Sequence, residues 1–220
     1  MTVSVTLIHL LIRLWTRWRF PGSASYWERR YAAGGNSGAG SYGHLAEFKG
    51  CILNQFVANH GIETVIEFGC GDGNQLGYFK FQDYLGIDVS DTAITMCRQK
   101  YGGDPTKRFD LLCDLNIQHA DLAISLDVIY HLVEDEVFEG YMRRLFASSE
   151  KYVAIYSSDC DADAGAAHVR HRNIRDWVSR YRPEWTLMDV VRNHYPLIDD
   201  PMQGSFADFF FFRKLLDAET

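Results

Sequence analysis

Glu67, Gly69, Gly71, Gly73 and Asp88 have the clearest chemical use in this chain. The first four lie in Thr64-Val65-Ile66-Glu67-Phe68-Gly69-Cys70-Gly71-Asp72-Gly73-Asn74-Gln75-Leu76, where an apolar run meets three glycines at alternate positions. That pattern predicts a buried strand ending in a tight turn. Without Cβ atoms the turn can take unusual φ/ψ and approach a ligand closely, and the polar residues after it can open a helix whose free N–H groups face that ligand. Asp88 ends the next apolar run, Asp83-Tyr84-Leu85-Gly86-Ile87-Asp88. It falls roughly twenty residues past the first glycine, where a doubly wound sheet brings an acid beside the turn to accept the ribose hydroxyls of an adenosine.

Glycine spacing and local charge separate the possible cofactors. A dinucleotide fingerprint needs G-x-G-x-x-G, whereas here the third glycine comes one residue early and Asn74 stands in its place. A pyrophosphate would also face the carboxylates of Glu67 and Asp72, which repel it. A cofactor carrying an ammonium and a sulfonium suits them.

Two downstream groups could handle an acceptor. The apolar strand Ala120–Leu126 runs into Asp127-Val128-Ile129-Tyr130-His131, and ligand and substrate meet at the carboxyl ends of strands in an open α/β sheet. His131 is therefore a candidate general base, since imidazole takes a proton from a hydroxyl near neutral pH; otherwise it bonds a backbone group and shapes the pocket. His168-Val169-Arg170-His171-Arg172-Asn173 is a cationic cluster ahead of a helix. Cations at a helix start oppose its dipole, so a solvated helix start competes with a use. In the functional version Arg170 and Arg172 hold an anionic or sugar-like acceptor, with His168 or His171 as alternative bases.

Glu67-Phe68-Gly69-Cys70-Gly71-Asp72-Gly73 resembles the first motif of the class I S-adenosylmethionine-dependent methyltransferases, hydrophobic-hydrophobic-E/D-x-G-x-G-x-G. Asp88, with Val89 beside it, matches that family's ribose-binding acid, and residues 127–132 resemble its D-V-hydrophobic-x-H-hydrophobic motif. The resemblance spans 45–215 and implies an α/β fold: a doubly wound, mostly parallel seven-stranded sheet with an antiparallel last strand. It also implies that Asp114 and Leu115 face the adenine, that Asp127 holds its loop or touches the methionyl part of the cofactor, and that Tyr130 borders the acceptor. The segment ahead of the first strand would cover the cofactor or form part of the acceptor pocket. Residues 27–43 are too rich in Gly and Ser to be a regular element; they form either a flexible linker or that lid, with Tyr31, Ser37, Ser41 and Tyr42 as contacts.

Several elements must position these groups. A helix is predicted over 44–60, closed by Gly61. Ser90 caps another that runs to Tyr101 and stops at Gly102-Gly103-Asp104-Pro105. Strands are predicted over 108–113, 151–157, 185–191 and 206–214, and helices over 135–146 and from Ile174 onward. The division is 1–22 as an N-terminal helix, 23–43 as lid or linker, and 44–220 as the catalytic domain.

With 220 residues and ordinary composition, the chain can bury one core. Its net charge of −7 argues against nucleic acid, whose binding rests on clustered Lys and Arg. Five scattered cysteines without a C-x-x-C pair predict reduced thiols in a cytoplasmic protein and neither disulfides nor a zinc site. The acidic loop 158–165 lacks the ligand pattern of a calcium site, so no metal is expected. Residues 3–12 are apolar and precede Arg13, Arg17 and Arg19. The charge order is wrong for a secretory signal and the run is too short to span a bilayer. The spacing predicts an amphipathic helix over residues 3–20 that packs on this domain or a partner, or else rests on a membrane surface.

The expected activity is methylation of a hydroxyl on a small molecule or glycan, by in-line transfer from S-adenosylmethionine. An NAD(P)-dependent oxidoreductase and a non-catalytic partner subunit are the alternatives.

Overall fold

The computed structural model describes residues 20–113, 118–162, 166–197 and 203–215. The N-terminal helix expected over 1–22 lies almost wholly outside them, as do Asp114 and Leu115.

The described elements are α1 (Ser23–Ala32), α2 (Gly43–His60), β1 (Thr64–Phe68), β2 (Asp83–Asp88), α3 (Asp91–Tyr101), β3 (Lys107–Leu111), β4 (Ala120–Leu126), α4 (Asp135–Ala147), β5 (Ser149–Ser157), α5 (Ile174–Tyr181), β6 (Trp185–Val191) and β7 (Asp208–Lys214). The strands make one seven-stranded sheet in the order β3-β2-β1-β4-β5-β7-β6. β7 runs antiparallel to both neighbours, β5 and β6, and the pairs from β3 through β5 are parallel.

Both sheet faces are covered, so the strands carry continuous apolar runs rather than alternation. The two-residue period of a strand sends neighbours to opposite sides. Phe209 and Phe211 pack with α2 and α3 residues such as Phe56 and Ile94, while Phe210 and Phe212 pack with Phe146 of α4 and Trp177 of α5. Two caps form as expected: Gly61 closes α2 at φ 58, and the Ser90 side chain accepts from the Ala93 N–H at the start of α3.

Two expectations are corrected. No α-helix follows the glycine turn; the chain makes a single 3-10 turn over Gln75–Tyr78. Only 74–82 separate the turn from β2, and Phe79 and Phe81 are drawn into the core before a second turn can form. In the other direction, residues 27–32, expected to be irregular, are the second half of α1. The disruptive glycines begin only at Gly34, and Tyr31, one turn beyond Trp27, is buried. Among the described residues no helix is long and apolar enough to cross a membrane.

Candidate functional site

The parallel register sets the carboxyl ends of β1, β2 and β4 side by side, with Phe68 opposite Ile87 and Glu67 opposite Ile124. Gly69 and Cys70 donate their backbone N–H groups to the Ile87 carbonyl, joining the glycine turn to the end of β2. Gly69 and Gly71 are needed for both conformation and space. Their φ values are 84° and 56°, and a Cβ would lie 2.3 Å from Val128 Cγ2 at Gly69 and 2.2 Å from Ser37 Oγ at Gly71.

Asp88 is buried at the same corner. It accepts the Gly71 N–H on one oxygen and the Ser90 N–H on the other, each at 2.9 Å. Burial pushes its carboxyl up, and these backbone donors pull it back down. Glu67 is fully enclosed and receives the Tyr84 hydroxyl at 2.5 Å. Burial pushes it up to about 7, against the opposing effects of Tyr84 and of Lys49.

The segment from Ser23 to Tyr42 closes over this corner through three carboxylates. Glu134 takes the Ser23 N–H at 2.9 Å; Glu28 takes the hydroxyls of Ser90 and Thr92, each at 2.5 Å. Asp72 takes the Ser37 N–H at 2.8 Å and the Tyr42 hydroxyl at 2.7 Å. The segment therefore has fixed contacts with the glycine turn, with the start of α3 and with the loop after β4.

Beyond β4, Asp127 adopts φ 59. Its Oδ2 lies 2.5 Å from Lys49 Nζ, and its Oδ1 accepts the Tyr130 hydroxyl at 2.9 Å. His131 follows on a short 3-10 turn, its Nδ1 3.0 Å from the His168 carbonyl. A carbonyl only accepts, which assigns the proton to Nδ1 and leaves a lone pair on Nε2. Trp27 lies edge-on to the His131 ring at 4.9 Å and His168 stacks on it at 5.5 Å. Burial drives His131 down to about 4, against the opposing hydrogen bond with the His168 backbone.

These residues enclose a cavity of about 290 Å³, lined by Glu67, Gly69, Gly71, Asp88, Val89, Asp127 and His131 and by Trp27 and Tyr31 of the 23–42 segment. Gln75 also lines it, and its Oε1 is buried with no hydrogen-bond partner among the described residues. A narrow backbone cradle, three carboxylates and an unused buried acceptor fit a ligand with hydroxyls at one end and positive charge at the other.

The remaining sequence candidates are placed differently. His168 acts through its carbonyl and its ring behind His131. His171 lies 2.7 Å from Ser158 Oγ and faces a separate depression of about 640 Å³. Arg172 donates to the carbonyls of Leu132 and Val133, and Arg170 to that of Val133, and both pair with Asp135. The cluster thus braces the loop after β4. Tyr42 and Tyr130 give their hydroxyls to Asp72 and Asp127, and the Tyr31 hydroxyl is hydrogen-bonded with that of Ser37 at 3.0 Å.

Lys49, Gln75, Glu28 and Trp27 are site residues that motif reading passes over. Lys49 had a usable signal: it falls on the apolar stripe of α2 with Leu45, Ile52 and Phe56, where a charge needs a buried partner.

Residues 66–149 match the family model of a methyltransferase domain. A search of curated protein sequences finds no match. Among solved structures, the N-methyltransferase NodS from Bradyrhizobium japonicum in complex with S-adenosyl-L-homocysteine has a TM-score of 0.66 at 16% identity, covering 88% of this chain and 98% of that one. Magnesium protoporphyrin IX methyltransferase (ChlM) from Synechocystis has a TM-score of 0.59 at 14% identity, covering 76% and 83%. An S-adenosylmethionine-dependent methyltransferase from Clostridium acetobutylicum has 0.56 at 11%, covering 79% and 93%. The matched stretch contains the glycine turn, Asp88 and the turn after β4. Residues 66–149 thus match a methyltransferase domain, and the fold of the chain is that of these methyltransferases.

Proposed function

We propose that the protein methylates a hydroxyl of a small molecule or glycan, with His131 as the proton acceptor. The state of His131 carries this choice: it is neutral, with Nε2 unprotonated and a conjugate acid at about 4. An alkylammonium with a pKa near 10.4 must shed its proton before attack, and His131 is a poor acceptor for it: that transfer runs roughly six units uphill, or about 8 kcal/mol. A hydroxyl attacks with its proton in place, and that proton becomes strongly acidic only as the new bond forms, when a weak base suffices.

Glu67, the turn at Gly69, Gly71 and Gly73, Asp88 and Val89 are the residues proposed to hold the cofactor, with Asp127 toward its amino-acid end and Asp114 and Leu115 toward its adenine. Bound S-adenosylmethionine supplies a methyl group on a sulfonium, open to in-line displacement. The chain's own part is alignment, exclusion of water and removal of one proton. Asp88 orients the ribose, and Glu67, Asp127 and Gln75 Oε1 offer acceptors to the positive end. The lid formed by 23–42 keeps water out.

Alignment is worth about 7 to 11 kcal/mol, and a positioned base a factor of about 10² to 10⁴. His131→Gln should therefore lower kcat by about 10² to 10⁴ while calorimetry finds cofactor affinity within a few-fold of wild type. Purified protein given labelled donor and a panel of alcohols, sugars, amines, peptides and nucleic acids should label hydroxyls. Labelling of amines alone, or only of protein or nucleic acid, overturns the acceptor assignment.

A further inference from the structure

A buried ammonium lies behind the cavity wall. Lys49, midway along α2, has a fully buried side chain with Nζ 2.5 Å from Asp127 Oδ2 and 5.1 Å from the centre of the Tyr156 ring. Among the described residues its one hydrogen bond goes to Asp127. Asp127 is also the only described non-glycine residue with positive φ, a conformation that persists only where the surroundings impose it. Lys49 holds one carboxylate oxygen and Tyr130 the other, while Gly40 of the lid comes so close that a Cβ there would lie 2.6 Å from Oδ2. A carboxylate offers about four lone-pair sites, so two remain on a group that lines the cavity. A buried ion pair of this kind adds little stability over an apolar pair of similar volume, which leaves its purpose to be sought in the site.

We propose that Lys49 is a positioning residue of the cofactor site, holding the Asp127 carboxylate turned into the cavity, where its remaining lone pairs meet the positive end of S-adenosylmethionine. This rests on the assignment of Asp127 to the cofactor made above. The titratable and charged groups facing Asp127 are Lys49 from α2, Tyr130 and His131 from the turn after β4, and Tyr156 from β5; Glu67 of β1 interacts with Lys49. Lys49 is the cation among them, so its removal leaves Asp127 without a counter-ion and without the partner that fixes one of its oxygens.

The test is calorimetric titration of the full chain with S-adenosylmethionine between pH 6 and 9, for wild type, Lys49→Met, Lys49→Arg and the double variant Lys49→Met/Asp127→Asn. Asparagine tolerates the left-handed backbone, and the double variant leaves no unpaired charge, so it decides the matter should the single variant not fold. Lys49→Met and the double variant should each bind about tenfold more weakly than wild type, and Lys49→Arg should stay within about threefold of it. Wild-type affinity in Lys49→Met or in the double variant, or binding by Lys49→Arg as weak as by Lys49→Met, overturns the proposal. If wild type itself fails to bind the donor, the cofactor-site assignment fails with it, and the two failures are thus distinguished.

Discussion

Two carboxylates bound the cavity from strands on either side of β1, and they are held by opposite means. Asp88, after β2, is fixed by the backbone N–H groups of Gly71 and Ser90. Asp127, after β4, is fixed by side chains, Lys49 from far upstream and Tyr130 from the same turn, in a backbone conformation that costs energy. The first arrangement needs only the glycine turn and a short strand beside it. The second needs a lysine delivered by a helix that precedes the sheet altogether. A binding corner made of backbone survives many side-chain changes, whereas one made of side chains can be undone by a single distant substitution.

The most damaging change to the backbone-held side is Asp88→Ala. It removes the ribose acceptor and orphans two N–H groups, each worth about 1 to 3 kcal/mol. Cofactor affinity measured by calorimetry should fall about a hundredfold; an unchanged affinity would contradict the assignment. Gly71→Ala keeps Asp88 but places a methyl group against Ser37 at a φ of 56°. We expect about tenfold weaker cofactor binding, and a melting temperature lower by about 2 to 4 °C for each kcal/mol of strain. Equal melting curves would show that the lid segment yields freely.

Glu67 sits on β1 between the two carboxylates and senses Lys49 on one side and Asp88 on the other. Its folded-state value of about 7 lies above the ordinary 4.5. The folded state therefore holds this proton more tightly, and the resulting stability is fully present below about pH 4.5 and lost as pH rises through 7. Glu67→Gln should raise the melting temperature at pH 8 by a few degrees relative to wild type, with little change at pH 5. Parallel stability–pH curves for the two proteins would count against a protonated Glu67 in the unliganded fold.

The contrast between Asp88 and Asp127 also marks how far the sequence can be read. Gly69, Gly71, Gly73 and Asp88 are legible because each acts through local backbone geometry, and such geometry leaves a spacing in the chain. The strands were legible because a sheet covered on both faces requires uninterrupted apolar runs such as Phe209-Phe210-Phe211-Phe212. Trp27 was harder to place, because a helix beside a glycine-rich stretch looks like part of that stretch until Tyr31 is seen buried against the glycine turn. The cluster at 168–172 shows the opposite problem. Its charges suggest a ligand in one dimension, but in three dimensions Arg172 and Arg170 are occupied by carbonyls 37 to 40 residues away.

By itself the sequence determined the sheet, its layers and the glycine corner beside Asp88, since these follow from residue periodicity and from glycines whose φ values no other residue adopts cheaply. Tertiary structure alone decided which charges face the ligand and which are neutralised internally. Ion pairs such as Lys49 with Asp127 join residues 78 positions apart, and a buried charge is defined by its partner and its exposure, neither of which has a sequence spacing.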